Sequence, residues 1–431
     1  MTSPVDGCSV RPGGGGNHAT LTKRWQETLV RQAFTPCLQY QYAAGKNTAD
    51  IKILESRISR RNAASADIRQ ILDMDKKFTQ EFSYQLSDYS AKDIYQWFKM
   101  TEWLVRNYVF SSQLDGPIHL TPDNNVIQDF KHREQPKRNL RRLAYTAFCR
   151  FSESWSSRDV SVAISPVIVY EHIGRTAASP LASRTALESL AHLLSDLRIP
   201  LRGITFDSPE SLSKRLGEVH EDAALISTWL KGLDAKSWAI RPSRDTESFY
   251  ARVSDDAIPE TSGLRYFEEK LIKKVLLSHI EKRISEQSIE RYGTSPIYLS
   301  EQSRSVATLN DICSRRGILT GLGDLDFLQN CSLAQQHRAR SESVILGQTF
   351  DRNLAEALRH QAHLIESDSV EFGKPDTEQR LSAFIESMLS PFKEENSRLK
   401  VCEEQANDFL SMAWDLCRSL IKQTPGYNLK T

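Results

Sequence analysis

Four acidic residues follow apolar or turn-forming segments at widely separated points of this 431-residue sequence. Asp123 comes after the apolar run 118–120, Glu171 after a β-branched run, Asp324 after "TGLG", and Asp351 after "VILGQTF". Carboxylates brought together repel one another and are costly to bury, so a cluster of them requires a cation, and oxygen ligands suit Mg²⁺ or Mn²⁺. Such an ion supports phosphodiester hydrolysis, because it activates water and neutralises charge on the phosphate.

Each of these carboxylates also has a purely structural interpretation. Asp123 and Asp324 are suitable helix N-caps, because an aspartate side chain accepts a hydrogen bond from a free backbone N–H in the first turn. Asp351 is compatible with a surface turn in "FDRN", and Glu171 with a solvated helix position. Only convergence of the four side chains separates the two interpretations.

Alternating strands and helices are predicted to bring the acidic residues together. The sequence predicts strands near 117–120, 160–164 and 343–348, with helices between them, which is typical of an α/β fold with a largely parallel sheet. Ser165 is predicted to cap the helix that carries Glu171. Because ligands bind at the carboxyl ends of parallel strands, we expect the acidic residues to meet there.

The four segments together resemble the motifs of PIN-domain nucleases. "TPDNNVIQDF" resembles the first motif, "ISPVIVYEH" the second, "GDLDFLQNCSL" the third and "VILGQTFDRNL" the fourth, in the family's order. The resemblance implies a three-layer α/β core and a Mg²⁺- or Mn²⁺-dependent nuclease that acts mostly on RNA. It also implies that Asp123, Glu171, Asp324 and Asp351 are the catalytic and metal-binding residues. The implied polar supports are Asn125, Ser165 and Thr349.

The sequence departs from the family pattern in three places. Asp326 competes with Asp324 for the third acidic position, and the spacing to Cys331 favours Asp324. Pro122 interrupts the strand before Asp123, where the family has an apolar residue. A long, mostly helical insert at about 176–316 separates the second and third motifs, and a lid, a dimer surface and a recognition module are all compatible with it.

The domain organisation follows from composition and periodicity. Residues 1–20 are glycine-rich and predict a disordered leader, and 21–115 predict a helical N-terminal region. Residues 116–360 form the predicted PIN-like nuclease domain with its insert, and 361–431 a helical C-terminal region. These helical segments are candidate surfaces for a partner protein or for a homo-oligomer.

Composition excludes several classes of protein. With 39% hydrophobic residues, 26% charged residues and no apolar run of membrane-spanning length, the sequence predicts a cytoplasmic protein without membrane segments. The seven cysteines include no C-x-x-C pair, which argues against a disulfide framework and against a zinc site. The net charge of +1 means that any contact with a polyanion depends on local clusters.

The strongest basic cluster is "KHREQPKRNLRR" at 131–142, directly after the first acidic motif. Its residues Lys137, Arg138, Arg141 and Arg142 are candidates for binding nucleic-acid phosphates, and a solvated helix face is the alternative. RNA is the expected partner. A DNA nuclease and a non-catalytic PIN-like scaffold remain alternatives, because carboxylate chemistry does not distinguish the sugars and a scaffold needs no metal.

Overall fold

The computed structural model forms two compact units, Met1–Lys77 and Phe78–Thr431. The structure describes residues 68–111, 116–156, 158–233, 238–242, 249–253, 258–293, 297–298, 321–333, 335–336, 341–352, 354–355, 358 and 396–424. Of the first unit, only 68–77 are described, and they are helical. The predicted leader at 1–20 and most of the predicted C-terminal region before 396 lie outside the described residues.

Ten α-helices and seven strands lie in the described parts of the chain. The helices are α1 (Ile68–Leu86), α2 (Ala91–Ser111), α3 (Asn124–Lys131), α4 (Pro136–Trp155), α5 (Pro166–His172), α6 (Pro180–Leu193), α7 (Pro209–Gly232), α8 (Glu269–Tyr292), α9 (Leu322–Asn330) and α10 (Asn396–Gln423). The strands are β1 (Ile118–Pro122), β2 (Val160–Ile164), β3 (Leu201–Gly203), β4 (Trp238–Pro242), β5 (Phe249–Val253), β6 (Ile297–Tyr298) and β7 (Val344–Gln348). A 3₁₀ turn, Ser195–Leu197, precedes β3.

Four strands form a parallel sheet in the order β3-β2-β1-β7, which confirms the predicted α/β fold. Ile118 of β1 pairs with Val160 on one side and with Val344 on the other. Strands of this kind, buried between neighbours, require apolar side chains, and Ile118 and Leu120 are fully buried. The strand order reverses direction at β1, so the carboxyl ends of β1 and β7 form the topological switch point where such sheets bind ligands.

Three helices, α5, α6 and α7, begin at a Ser-Pro pair. The Ser165 hydroxyl accepts a hydrogen bond from the Ile168 N–H at 3.2 Å, and Ser179 and Ser208 cap α6 and α7 in the same way. Proline fits the first helical position because it has no N–H to satisfy and its φ is already helical. At α5 this cap sets the start of the short helix that ends next to Glu171, as the sequence predicted.

The predicted insert contains more β-structure than expected. β3 lies inside the range 176–316, where "LRGITF" indicates a possible strand, and it joins the parallel sheet next to β2. A second sheet, in the order β4-β5-β6, combines an antiparallel and a parallel pairing, and the sequence analysis did not predict it. The helical prediction is correct for α7 and α8.

Helices α2, α4 and α10 pack together through aromatic side chains. Phe409 of α10 lies 4.9 Å from Phe151 of α4, and Trp414 of α10 lies 5.0 Å from Phe98 of α2, measured between ring centroids. The second unit therefore includes α2 and α10 as well as the sheet, so segments predicted as separate helical regions belong to the same core. Within the described ranges, no helix is both long and apolar enough to cross a membrane.

Candidate metal and nucleic-acid site

Asp123 lies at the topological switch point and is 2% exposed. It is the residue directly after β1, and its own N–H donates to the carbonyl of Gln348 at the end of β7, at 2.8 Å. Its side chain caps α3 by accepting from the Asn125 N–H at 3.3 Å, and it also accepts from Asn125 Nδ2 at 3.1 Å. Asn125 therefore makes two hydrogen bonds with the Asp123 carboxylate.

Thr349 connects Asp123 to the fourth acidic motif. Its hydroxyl donates to Asp123 Oδ2 at 2.9 Å and accepts from the Asp351 N–H at 2.9 Å. The Asp351 carboxylate in turn accepts from the Leu354 N–H at 3.2 Å and is close enough to raise the pKa of Asp123. Two motifs far apart in sequence thus meet at the carboxyl ends of β1 and β7.

The Asp123 carboxylate has an environment that is unfavourable for its charge. Burial raises its pKa, and the negative charge of Asp351 adds to the rise, whereas hydrogen bonds from Thr349 and Asn125 oppose it. None of these neighbours is a cation. At the end of β7, both polar atoms of the buried Gln348 side-chain amide lack a hydrogen-bond partner in the described parts of the chain.

Glu171 lies at the end of α5 and faces the same region. Its Oε2 accepts from Asn124 Nδ2 at 2.5 Å and its Oε1 accepts from Arg175 at 3.3 Å. Burial raises the pKa of Glu171 to about 7, Arg175 opposes the rise, and the charges of Asp123 and Asp326 add to it. The second motif therefore joins the first at one electrostatically coupled site, although Arg175 already offsets part of the Glu171 charge.

The structure places Asp326 close enough to Glu171 to contribute to the rise of the Glu171 pKa. A Cβ on Gly323 would lie 3.0 Å from Glu171 Oε2, so this part of α9 faces Glu171. Gly323 and Asp326 are three positions apart and therefore lie on the same face of α9. Burial raises the pKa of Asp326 to about 6, against hydrogen bonds from Ser165, Tyr266 and Asn330. Asp324 is half-buried in the first turn of α9, where its charge favours the helix N-terminus.

The donor set fits a hard divalent cation in its chemistry. Asp123, Glu171, Asp326 and Asp351 offer oxygen atoms only, as Mg²⁺ and Mn²⁺ prefer. Bound positive charge would offset the burial and the neighbouring negative charges that raise the pKa values of Asp123 and Glu171. Among the described residues, however, no group of three or more Asp, Glu, His or Cys side chains lies close enough together to hold an ion. Binding therefore requires these side chains to move closer together.

The basic residues after α3 differ in their availability. Arg138 and Arg141 lie 3.5 Å and 3.6 Å from the fully buried carboxylate of Asp129 on α3. Arg142 is 8% exposed and donates to Asp196 at 2.6 Å, which favours a structural role instead of the predicted phosphate contact. Lys137 is exposed at the start of α4.

Several residues at this site were not predicted from the sequence. Asn124 was part of the quoted first motif, but its contact with Glu171 joins two separate segments and has no local signature. Gln348 was hidden in an apolar strand, and Tyr266 lies in the insert. The sequence does mark Gly323, which stands two positions after Gly321 at the start of α9. Two glycines at a helix start indicate that another group approaches the backbone closely.

Comparisons with protein-family models, with curated proteins and with solved structures give no significant match. The geometry of the site therefore stands as the basis for any functional proposal.

Proposed function

We propose that this protein is a Mg²⁺- or Mn²⁺-dependent nuclease with a PIN-like core and that RNA is its substrate. The observation that carries the proposal is the meeting of Asp123 and Thr349 at the switch point of the parallel sheet, with Asp351 beside them. The coupled carboxylates of Glu171 and Asp326 extend the same acidic site. The choice of RNA follows from the resemblance to PIN-domain nucleases.

Each residue of the site has a role that follows from its contacts. Asp123, Glu171, Asp326 and Asp351 would hold the ion, which, when bound, supplies the charge that activates water and stabilises the phosphate. Thr349 and Asn125 orient Asp123 by donating hydrogen bonds to it, and Ser165 supports Asp326. The burial of these groups strengthens their interaction with any bound charge, because water screens it less.

Lys137, Arg138 and Arg141 are proposed to bind the phosphates of the substrate strand. They lie at the start of α4. Burial raises the pKa of Asp129, which pairs with the two arginines, and the charge of Asp123 adds to that rise. This electrostatic connection supports a role for the basic residues beside the carboxylates. Phosphate contacts of this kind supply salt-dependent affinity without sequence specificity.

The test of the proposed function is cleavage of single-stranded RNA by the purified full chain with Mn²⁺. The double variant Asp123→Asn with Asp351→Asn is expected to reduce the rate by at least about 100-fold, because two of the charged ligands are lost. Asp415→Asn, which removes an exposed carboxylate on α10, is the matched control and is expected to cut like the wild type.

Parallel reactions on DNA of the same sequence, and a calorimetric titration with Mn²⁺, separate the alternatives. Cleavage of DNA alone would correct the substrate. If the wild-type protein binds no Mn²⁺ and cuts neither the RNA nor the DNA, the protein is a non-catalytic scaffold. Equal cleavage by the double variant and the wild type would place the activity elsewhere.

A further inference from the structure

Arg175 has a backbone conformation that residues with a side chain rarely adopt. Its φ is 64°, in the left-handed region, and it follows Gly174, whose φ is 81°. Glycine enters this region freely, whereas a residue with a Cβ is strained in it. Strain of this kind clusters at functional sites, so an arginine at this position calls for a functional explanation.

The turn that contains Arg175 returns its side chain to Glu171. The Arg175 N–H donates to the Tyr170 carbonyl at 2.7 Å, and the Gly174 N–H donates to the Glu171 carbonyl at 3.2 Å, which reverses the chain at the end of α5. Arg175 Nη2 then donates to Glu171 Oε1 at 3.3 Å. The Arg175 side chain is 41% exposed and its guanidinium has five N–H donors, so it can bind a second anion from solution while it holds Glu171.

Lys131 adds a second exposed cation near the end of α5. It is the last residue of α3, and it begins the basic run 131–142. Burial lowers the pKa of His172, the last residue of α5, and the charge of Lys131 adds to that fall. Two exposed positive charges, Arg175 and Lys131, therefore lie near the end of α5 that carries Glu171.

We propose that Arg175 binds a phosphate of a single-stranded nucleic acid and that Lys131 binds another phosphate of the same strand. This inference rests on the proposed function, from which it takes the class of substrate. It requires no metal ion, because a guanidinium and an ammonium group bind phosphate oxygens directly. A guanidinium that contacts both Glu171 and a phosphate would hold the strand beside the carboxylates, which explains why an arginine is kept in a left-handed position.

The test is binding of a labelled single-stranded RNA by the full chain in EDTA, measured by fluorescence anisotropy over a range of salt concentrations. EDTA removes divalent cations, so the measurement does not depend on the proposed metal site. Arg175→Gln is expected to weaken binding by about 10-fold, because a charged hydrogen bond to a phosphate is lost. The slope of log affinity against log salt should fall in magnitude by about 0.7, the amount for one phosphate of a single strand.

Arg418→Gln is the matched control for the loss of one positive charge. The Arg418 side chain is 33% exposed and pairs with the nearby carboxylate of Asp415 at 2.7 Å, as Arg175 pairs with Glu171, but it lies on α10. We expect this variant to bind RNA with the affinity and the salt slope of the wild type. Lys131→Gln should lower the slope as Arg175→Gln does, because it also removes one phosphate contact.

Two further substitutions of Arg175 separate phosphate binding from an effect on folding. Arg175→Gly relieves the left-handed strain, so its urea unfolding midpoint should be higher than that of Arg175→Gln, yet it should bind RNA as weakly. Arg175→Lys keeps the positive charge, so it should keep the salt slope of the wild type and recover part of the affinity.

The possible outcomes are distinct from those for the proposed function. If Arg175→Gln binds RNA like the wild type, or loses no more affinity than Arg418→Gln, the role of Arg175 is overturned and the nuclease proposal is unaffected. RNA binding that depends on Arg175, without cleavage in Mn²⁺, would support this inference and overturn the nuclease proposal. If the wild type binds no RNA in EDTA, Arg175 holds no phosphate and the inference is wrong, whereas cleavage in Mn²⁺ still tests the nuclease proposal separately.

Discussion

Glu171 shows how a single buried carboxylate couples the proposed site to pH. Burial raises its pKa from 4.5 to about 7, so the ionised form is less favourable in the folded chain than in the unfolded one. Its contribution to stability is therefore full below about pH 4.5 and is lost as the pH rises through about 7. A bound cation favours the ionised form and acts in the opposite direction.

The first prediction compares metal-free wild type with Glu171→Gln by urea unfolding between pH 4.5 and 8. We expect the free energy of unfolding of the wild type, relative to the variant, to fall by about 3 kcal/mol across this range, since a shift of one pKa unit corresponds to roughly 1.4 kcal/mol. Saturating Mn²⁺ should reverse the loss in the wild type alone. A difference that stays constant with pH would contradict the assigned pKa.

Glu171 also shows what local sequence patterns can predict and what they cannot. Glu171 and its cap Ser165 were predicted correctly as parts of one short helix, because Ser-Pro starts and helical spacing are local features. The contact from Asn124 and the charge of Asp326 come from other segments and have no local pattern. For this reason the sequence indicated the second motif but could not show which side chains of other segments lie beside Glu171.

At the scale of elements, the start of α9 leaves room for a side chain of α5. The face of α9 that meets Glu171 has no side chain at Gly323, and a Cβ there would lie 3.0 Å from the glutamate oxygen. Glycine normally weakens a helix, by about 0.5 to 1 kcal/mol relative to alanine. Its presence here leaves room for the Glu171 carboxylate.

The second prediction concerns Gly323→Ala, with Gly217→Ala on α7 as the matched control. At Gly217 no atom lies within 4 Å of the added Cβ, so we expect a gain of about 0.5 to 1 kcal/mol in unfolding free energy and no change in Mn²⁺ affinity. At Gly323 the same gain is offset by displacement of Glu171, so the stability should change little while Mn²⁺ binding weakens. If Gly323→Ala is stabilised and binds Mn²⁺ as the wild type does, the close approach of Glu171 to Gly323 is not needed for Mn²⁺ binding.

The strands differ in how well the sequence predicted them, for a physical reason. β1, β2 and β7 are central or well covered, and burial on both faces produces the apolar, β-branched runs that identify a strand. β3 is an edge strand of three residues with Arg202 and Gly203 exposed, so its pattern is weak. β4 and β5 pair with each other inside the insert, and the two-residue strand β6 pairs with β5 from 47 positions away, as in Tyr250 with Ile297.

At the scale of the whole molecule, α10 is part of the core that supports the sheet. Phe409 is 1% exposed and contacts Phe78 and Phe151, with ring centroids 5.3 Å and 4.9 Å away. The sequence predicted a separate helical region at this end of the chain, because periodicity shows which face of a helix is apolar but not what covers it. A fragment restricted to 116–360 would therefore expose part of this core.

The third prediction follows from that packing. Phe409→Ala should lower the free energy of unfolding by about 3 to 5 kcal/mol, because a large buried ring is removed and leaves a cavity. Ser411→Ala, at an exposed position of the same helix, should change it by less than about 0.5 kcal/mol. Chemical unfolding of the two variants provides the measurement. Similar stabilities for both would mean that α10 contributes little to this core.

The pairing of β1 with β7 also has a kinetic consequence. Asp123 and Thr349 are separated by 226 positions, so their hydrogen bond forms only after nearly all of the chain between β1 and the fourth motif has been synthesised. Until then, β1 has β2 as a neighbour on one side and an open edge on the other, which is prone to pairing with other chains. Parallel pairing over such a distance is slow to form. The contact between Asp123 and Thr349 therefore cannot form in the nascent chain until β7 has emerged, and the open edge of β1 is exposed to aggregation until then.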